Sequence, residues 1–240
     1  MVIKNKVIME AGEITAHFLE LGDPQIATHS QRFFKTDTGE YGAGDKFIGI
    51  RVPVIRARVK ALPPLSLDTI SELIRSEFHE IRLFATLALV DNFNRADETD
   101  REEIYHLYLE NHAFINNWDI VDCSAHKIVG PYLLNRPRET LYKLAGNGTL
   151  WQRRIAVISC FTFIRHDDFD DILRLSEKLL SDPEDLIHKA VGWMLREVGK
   201  RDRARLEAFL DQHNKQMPRV MLRYAIEKFP TELRHHYMKK

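Results

Sequence analysis

The chain has few cysteines and no long apolar segment. Only two of its 240 residues are cysteines, Cys123 and Cys160, which excludes a disulfide framework and a Cys-x-x-Cys zinc or redox motif. The longest nearly apolar run, residues 155–164, is about half as long as a membrane-spanning helix. The start of the chain, Met1 to Lys6, lacks the apolar core of a signal peptide. We therefore expect a cytoplasmic protein with two buried, reduced thiols and no membrane partner.

Several catalytic signatures are also missing. The 11 histidines form no His-Glu-x-x-His motif, so the sequence predicts no metal site. The glycine-rich segment 42–46 has neither the glycine spacing nor the preceding strand of a nucleotide-binding loop. No Gly-x-Ser-x-Gly motif of a serine hydrolase occurs. These absences favour a protein that works without a metal ion or an organic cofactor.

The chain has no net charge, because 35 Lys and Arg residues balance 35 Asp and Glu residues. The charges are unevenly distributed, however. Residues 199–240 contain eleven basic and five acidic side chains, whereas residues 98–110 contain five acidic side chains and one basic one. A chain polarised in this way can still bind a polyanion through its basic part. Charged runs are more often solvated faces, so charge alone does not identify the partner.

The apolar residues recur at intervals of three and four, and no segment alternates with the period of two that marks a strand. The pattern predicts an all-α protein. Asp23, Ser66, Asp168 and Asp202 are predicted N-caps. The predicted helices cover residues 8–21, 24–34, 54–62, 67–75, 79–92, 100–111, 118–134, 139–145, 151–165, 170–180, 185–200, 203–213 and 218–229.

A repeat of about 35 residues is visible from residue 66 onward. Four positions recur at intervals of 36, 35 and 36 residues: Arg82, Trp118, Arg153 and Lys189. Three residues after each comes a small or medium-sized side chain: Ala85, Val121, Ala156 and Gly192. Small residues there let the second helix of each unit approach its neighbour. The repeat predicts one domain, 1–240, with irregular helices in 1–65 and regular pairs in 66–230. These pairs are expected to form a HEAT-like αα superhelix with a concave groove.

The repeat also predicts which side chains share the inner face of that groove. One unit after Trp118 lies Arg154, and two units after Asp122 lies Trp193, so these four side chains are expected on one wall. Arg196 follows Trp193 by one turn. Each residue also has an ordinary interpretation, since the tryptophans could be core residues and Arg154 could pair with a carboxylate. Together they favour an aromatic, cationic wall that carries one acid.

Four sequence blocks extend this interpretation: Phe47-Ile48-Gly49-Ile50-Arg51-Val52-Pro53-x-x-Arg56, Asn117-Trp118-Asp119-x-Val121-Asp122, Trp151-x-Arg153-Arg154-x-Ala156 and Lys189-Ala190-Val191-Gly192-Trp193-x-Leu195-Arg196-Glu197. They span residues 47–197. Jointly they resemble the AlkD-type alkylpurine DNA glycosylases. The resemblance implies a HEAT-like fold, excision of N3- or N7-alkylated purines from duplex DNA, and a place in DNA alkylation repair.

Carried over by position, the resemblance also implies the roles of individual residues. It makes Asp122 the catalytic carboxylate and Trp118 and Trp193 the pair that cradles the damaged nucleotide. The remaining expected DNA contacts are Arg154 to a phosphate, Tyr41 in the N-terminal part, and Lys189 and Arg196 in the fourth block. At Tyr41 the spacing to the Phe47 block differs slightly from that of the family.

The chemistry implied by the resemblance suits these residue types. A purine alkylated at N3 or N7 is already cationic, so its glycosidic bond needs no strong general acid. Breaking that bond moves positive charge onto the deoxyribose, where a carboxylate would stabilise it. We expect a monomer bound to double-stranded DNA. Two other functions stay open: a non-catalytic relative that binds damaged or branched DNA, and a protein-binding helical scaffold.

Overall fold

The computed structural model describes residues 9–239, which form fourteen α-helices. Their bounds are α1 Ala11–Glu20, α2 Pro24–Phe33, α3 Val52–Ala61, α4 Leu67–Ile74, α5 His79–Arg95, α6 Glu98–Glu110, α7 Trp118–Leu133, α8 Glu139–Asn147, α9 Leu150–Arg165, α10 Asp170–Lys178, α11 Asp185–Arg201, α12 Arg203–His213, α13 Arg219–Ala225 and α14 Thr231–Met238. The polar start of the chain and Ile8, the first residue of the first predicted helix, lie outside the described residues.

The all-α prediction is confirmed. Within residues 9–239 no strand forms, and the single β-bridge joins Lys46 to Phe78. At this bridge the backbone N–H of His79 donates to the carbonyl oxygen of Lys46 over 2.8 Å. The loop before Phe47 is thereby fastened to the start of α5. No helix in the described range is both long enough and apolar enough to cross a lipid bilayer.

Three of the four predicted N-caps are confirmed. The side chains of Asp23, Ser66 and Asp202 accept hydrogen bonds from backbone N–H groups in the first turns of α2, α4 and α12. The prediction for Asp168 was wrong, because α10 is preceded by Phe169. The Asp168 carboxylate instead accepts a hydrogen bond of 2.7 Å from Arg138, an ionic interaction that replaces capping.

The C-terminal end also differs from the prediction. Helix α13 ends at Ala225, four residues earlier than expected. Beyond residue 229, where no helix was predicted, His235 and His236 belong to α14. This helix is fixed by Tyr237, which is buried, contacts the ring of Phe229 and donates a hydrogen bond of 2.9 Å to Asp211.

The chain divides inside α7 into two compact units, Met1–Ser124 and Ala125–Lys240. In the first unit α1 packs on α4, and α3, α4 and α6 pack on α5. In the second unit α8, α10 and α11 pack on α9, while α12 and α13 pack on α11. The expectation of a single superhelical domain with a concave groove stays a prediction.

The small residues of the repeat lie where helices pack. Ala85, Val121 and Ala156 are completely buried. A Cβ atom on Gly192 would lie 2.5 Å from the carbonyl oxygen of Met221. Because real Cβ atoms do not approach that closely, only glycine permits the observed distance between α11 and α13.

The block that begins at Phe47 shapes the N-terminal part of the first unit. Gly49 has a φ of +93°, and a Cβ there would lie 2.0 Å from the carbonyl oxygen of Asp23. The buried carboxylate of Glu80 accepts hydrogen bonds from the backbone N–H groups of Ile48, Gly49 and Ile50. These contacts seat the start of α2 against the segment after Phe47 and tie that segment to α5.

Candidate active site

The first turns of α7 carry the predicted cradle residue Trp118 and the predicted catalytic residue Asp122. Both side chains are partly exposed, whereas Ile120 and Val121 between them are completely buried. Residues four apart on a helix lie on one face, about one turn from each other. The burial pattern therefore agrees with the sequence prediction that Trp118 and Asp122 share a face of α7.

Two phenylalanines at the end of α2 pack against Trp118. The ring of Phe34 stacks on the indole at a centroid distance of 5.3 Å and an interplanar angle of 22°. Phe33 meets the indole edge at 6.0 Å and is 58% exposed. One side of the indole is thus covered. Sequence reasoning missed these neighbours, although two adjacent phenylalanines at the end of a predicted helix were a visible signal.

The aromatic contacts continue from Phe34 into the first unit. Phe34 stacks on Phe47 at 5.1 Å, and Phe47 stacks on the imidazole of His79 at 4.6 Å. Beside these rings lies a cavity of about 360 Å³. Its walls are mostly aliphatic and aromatic, and its polar lining includes His79, Glu80 and Asp119. The stack thus connects Trp118 to a buried group of charged residues.

That group has His79 at its centre. His79 is 1% exposed, and its imidazole lies between two carboxylates: Nε2 is 2.8 Å from Asp119 and Nδ1 is 3.3 Å from Asp45. Burial alone would lower the pKa of His79. The charge of Asp119 and the hydrogen bonds to Asp119 and Asp45 outweigh burial and the repulsion of Arg82, raising the pKa to about 9. His79 is therefore an imidazolium at neutral pH.

Asp45 completes this buried cluster. Its second carboxylate oxygen accepts a hydrogen bond of 2.7 Å from Arg82. Burial works to raise the pKa of Asp45, but the His79 hydrogen bond and the charges of Arg82 and His79 lower it below its usual value. Two carboxylates thus face two cations, so the buried charges balance. The sequence did not predict this cluster, because its members come from the loop after α2, from α5 and from α7.

The predicted residues of the second unit lie on α9 and α11, which pack together. The indole Nε1–H of the partly exposed Trp193 donates to Glu197 over 3.1 Å, and Phe161 lies 6.0 Å from the indole. Arg154 is 5% exposed and donates a hydrogen bond to the carbonyl oxygen of Leu186. Arg154 therefore ties α9 to the first turn of α11. Whether it also contacts a phosphate stays a prediction.

The two predicted cations on α11 form ion pairs. Lys189 lies 2.7 Å from Asp185, one turn earlier on the same helix. Arg196 pairs with Glu227 and lies 3.6 Å from Glu197. A phosphate would have to compete with these carboxylates for the basic side chains.

Tyr41 lies in the loop between α2 and α3, four residues before Asp45, and is partly exposed. Its contact with DNA stays a prediction. So does the placement of Trp118, Asp122, Arg154 and Trp193 on one wall, because the first two residues belong to one unit and the last two to the other. The described residues contain no group of three or more His, Cys, Asp or Glu side chains that could hold a metal ion.

Comparison with known families gives the chain a biochemical context. The sequence matches the family of DNA alkylation repair enzymes over residues 14–229. The chain belongs to that family. Membership in the DNA alkylation repair enzymes makes the protein a repair enzyme whose substrate is DNA. It confirms the family resemblance inferred from the four sequence blocks at the level of repair enzymes, without assigning the reaction or the residues that perform it.

The fold agrees with this family assignment. A solved structure described as a predicted DNA alkylation repair enzyme from Enterococcus faecalis is similar, with a TM-score of 0.67. The similarity covers 88% of this chain and 97% of the other chain at 18% sequence identity. At that identity the similarity supports the fold alone. A search of curated proteins gave no significant match.

Proposed function

We propose that this DNA alkylation repair enzyme is a glycosylase that hydrolyses the N-glycosidic bond of cationic N3- or N7-alkylated purines in duplex DNA. The observation that carries the proposal is the pairing of Trp118 with Asp122 on one partly exposed face of α7. An aromatic surface next to a carboxylate suits a cationic nucleotide whose sugar becomes positively charged during the reaction.

The proposed reaction breaks the bond between the sugar C1′ and the purine nitrogen. The bonding electron pair moves to the purine, which leaves as a neutral base, and C1′ becomes an oxocarbenium ion. The Asp122 carboxylate stabilises this cation and orients a water molecule. The water oxygen bonds to C1′ and its proton passes to bulk solvent, so an abasic site remains in the DNA. No protein nucleophile enters the reaction, so the enzyme is a monofunctional hydrolase.

Trp118 and Trp193 are proposed to cradle the damaged nucleotide. Phe34 covers one side of the Trp118 indole, so the other side is the one we assign to the nucleotide. Glu197 holds the Trp193 indole by accepting a hydrogen bond from the indole N–H. A desolvated aromatic face contributes about 1–2 kcal/mol to binding a cation, which favours the charged alkylated purine over a neutral base.

The remaining predicted residues are proposed to hold the DNA backbone. Lys189 and Arg196 would exchange their carboxylate partners for phosphate oxygens. Arg154, which donates to the Leu186 carbonyl oxygen, would contact a backbone phosphate. Tyr41 would contact the backbone from the loop after α2. We propose that the protein binds DNA as a monomer. Its affinity for DNA should fall as the salt concentration increases, because each phosphate contact releases counterions.

Base release from methylated duplex DNA tests this function. Purified protein is incubated with duplex DNA that carries 7-methylguanine and 3-methyladenine, and free bases and abasic sites are quantified together. The proposal predicts that one abasic site forms for each base released. Salt-dependent binding to damaged or junction DNA without base release would contradict it in favour of a non-catalytic DNA-binding protein. Absence of both release and low-salt binding would favour a protein-binding scaffold.

A further inference from the structure

We propose that His79 is a positioning residue for the reaction: as an imidazolium bridging Asp45 and Asp119, it fixes the first turn of α7 and thereby the place of Trp118 at the damaged nucleotide. This inference rests on the proposed function, because it assumes that Trp118 contacts the substrate. His79 itself is 1% exposed, so we assign it no contact with DNA.

The first connection from His79 to Trp118 runs through hydrogen bonds on both sides of the tryptophan. On the C-terminal side, Asp119 accepts from the His79 Nε2–H over 2.8 Å. On the N-terminal side, the side-chain oxygen of Asn117 accepts the backbone N–H of Trp118 over 2.8 Å, and its amide group lies 3.5 Å from Asp45. One neighbour of Trp118, Asp119, thus contacts the His79 imidazolium directly, and the other, Asn117, is tied to Asp45, the second carboxylate that contacts it.

The second connection runs through ring contacts. The imidazole lies 4.9 Å from the ring of Phe34, whose stacking on Trp118 covers one face of the indole. Phe47 stacks on His79 at 4.6 Å with an interplanar angle of 21°. A displacement of His79 would therefore also move the ring on which Trp118 rests. The hydrogen bonds to the two chain neighbours of Trp118 and the ring contact with its side chain therefore both depend on His79.

The arrangement of charges explains why a histidine suits this position. Both ring nitrogens face carboxylate oxygens, so each carries a proton in the bridging state. Only a doubly protonated imidazole can donate to the loop and to α7 at once. The cost of burying the carboxylates is offset only while this cation and Arg82 remain in place. Loss of the bridge should therefore release Asp119, which is the only one of these carboxylates on α7.

The test uses two substitutions that remove a charge but leave a polar side chain of similar size. His79→Gln removes the bridging cation, and Asp119→Asn weakens the same contact from the other end. Thr69→Val is the matched control, because it removes one partly buried hydrogen bond at the start of α4 in the same unit without touching α7. A second set carries Trp151→Phe and Trp193→Phe, so that Trp118 is the only fluorescent indole.

The first readout does not need enzymatic activity. Acrylamide quenching of the single Trp118 should increase at least twofold in His79→Gln and increase in Asp119→Asn, while Thr69→Val leaves it unchanged. Unaltered quenching in both substituted proteins would overturn the inference. This result stands even if wild-type protein releases no base, in which case the proposed glycosylase function fails by itself.

The second readout separates positioning from a general loss of stability. With methylated duplex DNA, His79→Gln should lower kcat ten- to a hundredfold, since a displacement of about 1 Å can have that effect. Its affinity for undamaged DNA should change less than twofold. In a Trp118→Ala background the same substitution should lower kcat less than twofold further. If the fold reductions in kcat caused by His79→Gln and by Trp118→Ala multiplied in the double variant, His79 would not act through Trp118. That result would overturn the inference.

Discussion

A Cβ atom on Gly49 would lie 2.0 Å from the carbonyl oxygen of Asp23, the residue that caps α2. This distance means that the backbone after Phe47 and the first turn of α2 touch with no room for a side chain. Helix α2 in turn carries Phe33 and Phe34, which pack against Trp118. The block that begins at Phe47 thus helps to build the proposed nucleotide cradle.

Gly49→Ala should be strongly destabilising. The substitution combines a φ of +93° with a steric clash, and we expect the free energy of unfolding to fall by about 2–4 kcal/mol. Gly39→Ala is the matched control, because Gly39 has a φ of +86° but a Cβ there would meet no atom within 4 Å. It should cost only about 1 kcal/mol. Equal losses, measured by urea unfolding, would show that the contact with Asp23 does not matter.

A second glycine tests the packing of the repeat. Gly192→Ala places a Cβ 2.5 Å from the Met221 carbonyl oxygen and 2.6 Å from the Cβ of Tyr224, so α11 and α13 must separate. We expect a loss of about 1–3 kcal/mol in the free energy of unfolding. Gly12→Ala, at an open position in α1, should instead stabilise by about 0.5–1 kcal/mol. A stabilising Gly192→Ala would contradict the close approach of α11 and α13.

The His79 cluster predicts how stability depends on pH. The pKa of His79 is raised from 6.5 to about 9, so the folded protein holds this proton more tightly than the unfolded chain. The resulting stabilisation is complete below pH 6.5 and is lost as the pH rises through 9. The groups facing the imidazole are Asp45 from the loop, Arg82 from α5 and Asp119 from α7.

Urea unfolding of wild type and His79→Gln at several pH values measures this effect. Between pH 6.5 and about 9 the wild type should lose on the order of 1–3 kcal/mol of stability relative to His79→Gln. The difference between the two proteins should therefore shrink as the pH increases. A difference that stays constant over this interval would show that His79 is neutral in the folded protein.

The ion pair between Arg196 and Glu227 predicts a substitution that strengthens DNA binding. Glu227 holds Arg196 and also lies 3.0 Å from Lys228. Glu227→Gln should leave these cations available to phosphates and raise the affinity for duplex DNA about threefold. The slope of log Kd against log salt concentration should become steeper by about one unit. Glu102→Gln changes net charge equally at an exposed position on α6 and serves as control. The same gain in both proteins would assign the effect to net charge alone.

Local patterns in the sequence were sufficient to predict the helices. Apolar spacing predicted thirteen helices to within a few residues at most ends, and Asp23, Ser66 and Asp202 cap helices as expected. The failures arise where distant residues decide the local structure. Asp168 pairs with Arg138 rather than capping α10, and α14 depends on the contact of Tyr237 with Asp211. Neither contact has a signal within its own segment.

The candidate site was only partly predictable for the same reason. The shared face of Trp118 and Asp122 follows from helical geometry within one segment. The support beneath it does not, because His79 is joined to Asp45 and Asp119 across 34 and 40 residues of sequence. Phe33 and Phe34 contact Trp118 from another helix. Such contacts depend on tertiary packing, which the period of the apolar residues does not specify.

The most direct test of the central claim is the single-turnover rate of 7-methylguanine release by wild type and Asp122→Asn. The substitution keeps the size of the side chain and removes the negative charge proposed to stabilise the sugar cation. Asp100→Asn, on the exposed face of α6, controls for the loss of one acid. We expect wild type and Asp100→Asn to release the base at the same rate and Asp122→Asn at least a hundredfold more slowly. Unchanged release by Asp122→Asn, with normal folding, would contradict the assignment of Asp122 as the catalytic carboxylate.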